Sequence, residues 1–132
     1  MPSLRTLALL AASLLATASL AQGMRADEAF HFKGPDREAK LVEQARKEGK
    51  VVLYTSLAPS ESKPLAAAFE KKYGVKVELW RALSDKVVQR TVAEARAHRD
   101  AVDVVETNGP EMDMIANEKV LEPYDTPYLA DL

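Results

Sequence analysis

Gly49-Lys50-Val51-Val52-Leu53-Tyr54-Thr55-Ser56-Leu57-Ala58-Pro59 is the stretch on which the reading of this chain turns. Val51 to Tyr54 is a continuous apolar, β-prone run, too short for a helix and without the alternation of a half-exposed strand. That pattern belongs to a strand covered on both faces, as in a parallel sheet. Upstream, Gly34-Pro35-Asp36 reads as a turn ending in a helix N-cap. The helix that Asp36 opens carries Leu41, Val42 and Ala45 on one face, with the acid-before-base pairs Asp36/Lys40 and Glu43/Lys47 at i,i+4 and Gly49 as its stop.

Downstream the same alternation repeats. A second helix, from about Ser60 to Tyr73, sets Leu65, Ala68, Phe69 and Tyr73 on one stripe and ends at Gly74. The period then falls to two: Val75, Val77 and Leu79 alternate with Lys76, Glu78 and Trp80, which predicts a strand with one more exposed face at a sheet edge. Ser84 is read as the N-cap of a third helix, with Val88, Val92 and Ala95 as its seam and Lys86, Arg90, Glu94 and Arg96 facing water. Ala101 to Val105 gives a third strand. Asn108-Gly109-Pro110-Glu111 opens a fourth helix in capping-box spacing, running from Met112 to about Glu118.

Helices alternating with strands predict an α/β fold with a parallel sheet, and right-handed crossovers give strand order 2-1-3. Ligands of such sheets sit beyond the carboxyl ends of the strands, where the order reverses. Three loops lie there: Thr55 to Ser62, Arg81 to Asp85 and Glu106 to Pro110. Thr55 and Ser56 are read as ligand contacts or as local caps, and Ser60 and Ser62 as helix caps. Ser84, Asn108 and Gly109 complete the candidate ligand set. Capping is the alternative for Ser84 and Asn108, and a tight entry before Pro110 is the alternative for Gly109. No glycine-rich phosphate loop is present.

Composition narrows the chemistry. The 132 residues contain 18 basic and 20 acidic side chains and no Cys. Near-balanced charge gives no footprint for nucleic acid, and the lack of Cys removes disulfides, thiol nucleophiles and Cys metal clusters. The two histidines, His31 and His98, are not expected to ligate metal. Met112 and Met114 read as packing, and Glu106, Glu111 and Asp113 read as surface solvation, because no base or nucleophile accompanies them at a recognisable spacing. Tyr54 and Trp80 pack or stack. No enzyme activity, cofactor or metal site is expected.

At the amino end, Arg5 precedes the apolar run Leu7 to Leu20, with Ser19 and Ala21 as small residues before a cleavage site. This predicts a signal peptide over residues 1–21, cleaved after Ala21, and export to the periplasm. The run falls short of the roughly 20 residues that span a bilayer. Residues 22–35 are read as an irregular segment and 36–132 as a partial α/β lobe.

Four stretches carry a family likeness: Glu48-Gly49-Lys50-Val51-Val52-Leu53-Tyr54-Thr55-Ser56, Phe69-Glu70-Lys71-Lys72-Tyr73-Gly74-Val75-Lys76-Val77, Asp103-Val104-Val105-Glu106-Thr107-Asn108 and Leu121-Glu122-Pro123-Tyr124. In this order they resemble the extracellular solute-binding proteins of ABC importers, in particular the branch of the ferric-iron binders. The resemblance implies a monomeric two-lobed protein that closes on a small-molecule or metal-ion solute and delivers it to ABC permease subunits. Two lobes need about 100–150 residues each, so it further implies that this sequence is an amino-terminal fragment of lobe one. Iron binders often carry a His after the first strand and an acid after the third, where Ala58 and Asn108 stand here. The hydroxyl-and-amide set suits an anionic or polar organic solute, or a metal carried with a synergistic anion. The alternative is a stand-alone exported α/β binding or interaction module.

Overall fold

A computed structural model describes residues 33–123, 126, 128 and 129. The proposed leader, most of the 22–35 segment and His31 lie outside the described residues. Among the described residues, seven elements follow in strict alternation: α1 (Arg37–Glu48), β1 (Lys50–Thr55), α2 (Pro59–Tyr73), β2 (Lys76–Arg81), α3 (Ser84–Arg96), β3 (Val104–Glu106) and α4 (Gly109–Asn117). The three strands form a parallel sheet in the order β2-β1-β3, as expected from the crossover rule. The register pairs Tyr54 with Trp80 on one side and with Val105 on the other.

Local chemistry explains the helix ends. α1 and α2 both stop on a glycine in the left-handed region, Gly49 at φ 85° and Gly74 at φ 70°, where a side chain would be strained. At Gly74 the amide bonds back to the Glu70 carbonyl, and the Arg46 Nε donates to the Tyr73 carbonyl at 2.6 Å, tying the end of α2 to α1.

The helix starts depart from the sequence reading. Asp36 precedes α1 but makes no capping bond; its carboxylate pairs with Lys40 at 2.8 Å instead. α2 begins at Pro59 with Ala58 as N-cap, so Ser60 and Ser62 lie inside the helix. The buried Ser62 hydroxyl donates to the Ala58 carbonyl at 3.2 Å, while Glu61 accepts from the Ala58 amide at 3.2 Å. Ser84 is the first residue of α3 and not its cap, which is Leu83. Asn108 holds the N-cap position of α4 without a side-chain capping bond. Asp36 and Ser62 take partners four residues away, the Ala58 amide takes the Glu61 carboxylate, and Ser84 and Asn108 take each other across two loops.

Right-handed crossovers send α2 and α3 to opposite faces of the sheet. α4 packs on α3, and the Arg96–Glu118 bridge at 2.6 Å joins the end of α3 to the residue that follows α4. On this face lie the buried Val87, Val88, Thr91 and Ile115. α1 and α2 cover the other face, separated by an apolar groove of about 230 Å³ lined by Leu41, Val42, Ala45, Phe69, Tyr73 and Val75. No residue of α1 is buried, and Leu65 of the α2 stripe remains 55% exposed.

β3 is shorter than read, because only Val104 to Glu106 pair with β1. Asp103 ends the ladder with its own chemistry: its amide donates to the Val52 carbonyl and its carboxylate accepts from the Val52 amide at 2.7 Å. Among the described residues β2 is an edge strand, as the alternation predicts, and β3 is the opposite edge.

Candidate functional site

The three strands run parallel, so Thr55, Arg81 and Glu106 end them side by side, in register across the sheet. The loops that follow carry all five candidate ligand residues to one end of the sheet, because every candidate sits at or just after a strand terminus.

The Thr55 side chain is fully buried, and its hydroxyl donates to Glu106 Oε2 at 2.5 Å. The same carboxylate oxygen accepts from the Ser56 amide at 3.1 Å and from the Leu57 amide at 3.2 Å. Leu57 also donates to Thr55 Oγ1 at 3.0 Å, which closes the turn on itself. The strand ladder continues one step further, with the Ser56 amide also reaching the Glu106 carbonyl at 3.2 Å. Ser56 is half-buried, and its own hydroxyl makes no hydrogen bond among the described residues.

Glu106 is therefore misread as surface solvation. It is half-buried and organises the loop leaving β1. A carboxylate accepting from two amides and a hydroxyl is held more strongly than by neutral pairs alone. The signal available in the sequence was an acid placed at the end of one parallel strand beside a Thr-Ser at the end of its neighbour. Only the register makes those two ends meet.

Ser84 and Asn108 come from different loops and meet directly, with Asn108 Nδ2 donating to Ser84 Oγ at 2.9 Å. Their bond ties the entry of α3 to the entry of α4. Gly109 opens α4 with unfilled space where a Cβ would stand, so close approach of a ligand is sterically possible there. Arg81 reaches across from β2, its Nε donating to the Leu57 carbonyl at 3.2 Å. The Thr107 hydroxyl, next to Glu106, is buried and has no hydrogen-bond partner among the described residues.

His98 stands apart from this end. It follows the carboxyl end of α3, exposed and in the left-handed region at φ 51°. Because α3 runs back against the strand direction, that places it toward the opposite end of the sheet. Among the described residues, no three His, Asp or Glu side chains gather as a metal site.

A second polar cluster, under α3, was also read differently from the sequence. Arg90 and Glu94 turn toward the sheet, not toward water. The Tyr54 hydroxyl donates to Glu94 Oε2 at 2.8 Å, and Arg90 Nε donates to Glu94 Oε1 at 3.0 Å. The Arg90 guanidinium lies 4.5 Å from the ring centres of both Tyr54 and Trp80, which contact each other at 4.9 Å in a tilted arrangement. Burial and the Glu94 carboxylate push the Tyr54 phenol above its ordinary range. Burial raises the Glu94 carboxyl, but the bonds from Arg90 and Tyr54 outweigh it and hold the group below the usual glutamate value. The Tyr54 hydroxyl and both Glu94 carboxylate oxygens are paired within the chain, and Arg90 adds one hydrogen bond and two ring contacts, so the cluster ties α3 to the sheet.

Comparison of the chain with protein-family models, with curated proteins and with solved structures found no match.

Proposed function

We propose that this chain is the periplasmic solute-binding component of an ABC importer, its α/β unit forming part of the first lobe, and that it captures a small polar solute or a metal ion for delivery to a permease. The observation that carries the reading is the convergence of Ser56, Ser84, Asn108 and Gly109 at the carboxyl ends of three parallel strands, with the Asn108–Ser84 bond joining two of the three loops. Ligands of open parallel sheets bind at this end, where loops and helix starts offer free polar groups. The proposed function is binding and not catalysis: the Glu106 carboxylate and the Thr55 hydroxyl are engaged with each other and with the loop amides.

Export is part of the proposal. Mass spectrometry of the secreted fraction is expected to show a product beginning at Gln22, and a product that keeps Met1 or Pro2 would reject a soluble periplasmic component. Calorimetric titration with a panel of small solutes, followed by a permease ATPase assay, tests the rest. The double substitution Ser56→Ala with Asn108→Ala is expected to weaken solute binding several-fold, since each removed hydrogen bond is worth about 0.5–1.5 kcal/mol. Solute binding without stimulation of any permease would favour the stand-alone module.

A further inference from the structure

Three successive backbone amides lead from β1 toward α2, those of Ser56, Leu57 and Ala58, and each is met by a carboxylate of this same chain. Ser56 and Leu57 donate to Glu106 Oε2 at 3.1 and 3.2 Å, and Ala58 donates to Glu61 Oε2 at 3.2 Å. The Thr55 hydroxyl adds a third donor to Glu106 Oε2 at 2.5 Å. Converging amides and a hydroxyl form a concavity suited to a carboxylate oxygen. Here that place is already taken. Only Oε2 of Glu106 is used; among the described residues Oε1 makes no hydrogen bond, and the neighbouring Thr107 hydroxyl is buried and has no partner there.

We infer that Glu106 is the specificity-determining residue of this cleft: it fills the carboxylate cradle from within, so the cleft turns away anionic solutes and offers Oε1 to a hydroxyl or ammonium group of a neutral or cationic organic solute. Where the solute lies rests on the solute-binding reading above; that Glu106 fills the cradle does not. A carboxylate already held in place by the fold does not meet the association and ordering cost that a free anion must meet to occupy the same donors. An anion that approached without displacing it would meet a like charge in a partly desolvated place, which is unfavourable. The hydroxyl-and-amide set that suited an anionic or polar organic solute included the Thr55 hydroxyl, which Glu106 already engages.

The test is chemical rescue in the full chain with formate as the probe and chloride at equal ionic strength as the control. In Glu106→Ala the cradle is vacated, so formate is expected to bind at least tenfold more tightly than to the wild type and to raise the melting temperature of the variant alone. Equal responses of the two proteins, or no response from either, would overturn the inference. If Glu106→Ala does not fold, Glu106→Gln takes its place, because the neutral amide keeps the volume but is the weaker acceptor. Formate should then stabilise Glu106→Gln more than the wild type, and a response no greater than the wild type's would overturn the inference as well. This readout involves neither solute nor permease. A wild type that binds formate as well as the variant therefore rejects the role of Glu106 and leaves the solute-binding proposal standing. Rescue of the variant, with every solute in the panel failing to bind the wild type, rejects the solute-binding proposal and leaves Glu106 in its cradle.

Discussion

The two faces of the sheet are covered by two helices each, yet one is closed and the other open. Under α3 and α4, Val87 and Ile115 are fully buried and Tyr54 nearly so. Between α1 and α2 a groove remains, and the apolar Leu65 and Phe69 stay 55% and 37% exposed. Amphipathic spacing is similar on both sides, so the difference does not come from pattern. It comes from partners. α3 has α4 beside it and a ring pair beneath it, bridged by Arg90 and Glu94, whereas α1 and α2 meet chiefly at their ends, through the Arg46 bond to the Tyr73 carbonyl. A helix stabilises a fold by burying its apolar face, and a face with no opposite surface contributes little.

The comparison breaks most easily on the closed face. Tyr54→Ala removes a buried ring, its contacts with Trp80 and Arg90, and the donor to Glu94, and is expected to cost about 3–5 kcal/mol. Leu65→Ala on the open face is expected to change stability by about 0.5 kcal/mol or less. Urea unfolding of both variants measures the contrast, and comparable losses would mean that the α1/α2 face is as fully packed as the other.

Between these extremes stands the site end of β1. Thr55→Val keeps the volume but removes the hydroxyl that donates to Glu106 and accepts from Leu57, for an expected loss of about 1–3 kcal/mol. Ser84→Ala, which breaks only the exposed bond to Asn108, should cost less than about 1 kcal/mol by the same urea measurement. A larger loss from Ser84→Ala than from Thr55→Val would reverse the ranking of the two halves of the site.

The smallest effect concerns pH. The carboxyl of Glu94 is held below its ordinary value of 4.5 in the folded chain, so its contribution is fully present above that value and is lost as pH falls through the lower, folded one. Melting temperature followed downward from pH 5 should fall less steeply for Glu94→Gln than for the wild type. Parallel curves would show that Glu94 titrates alike in the folded and unfolded chains.

How far the sequence reaches can be judged from single positions. Gly49 and Gly74 mark the ends of α1 and α2 because their left-handed geometry is a local requirement that few other residues meet. The apolar run at Val51 to Tyr54 identifies the central strand for a similarly local reason. Serines and acids are another matter. Ser60, Ser62, Ser84, Asn108 and Asp36 all look like caps, and none caps a helix with its side chain. Their hydroxyl, amide and carboxylate groups can satisfy themselves locally or at a distance for similar energy, so the nearest available partner decides.

Alternation of apolar runs with glycine stops and helical spacing determined, without coordinates, that this chain is a parallel α/β unit of order 2-1-3, since chain connectivity and crossover handedness leave few alternatives. Those signals also placed the candidate ligand residues at one end of the sheet. Tertiary structure alone decided what each polar group does there. The parallel register sets Glu106 against Thr55 across strands that are 51 positions apart in sequence, and folding of α3 onto the sheet sets Glu94 against Tyr54, 40 positions away. Periodicity specifies which face a residue occupies, but a hydrogen bond needs its two atoms within about 3 Å, and only the packed arrangement of strands and helices fixes distances on that scale.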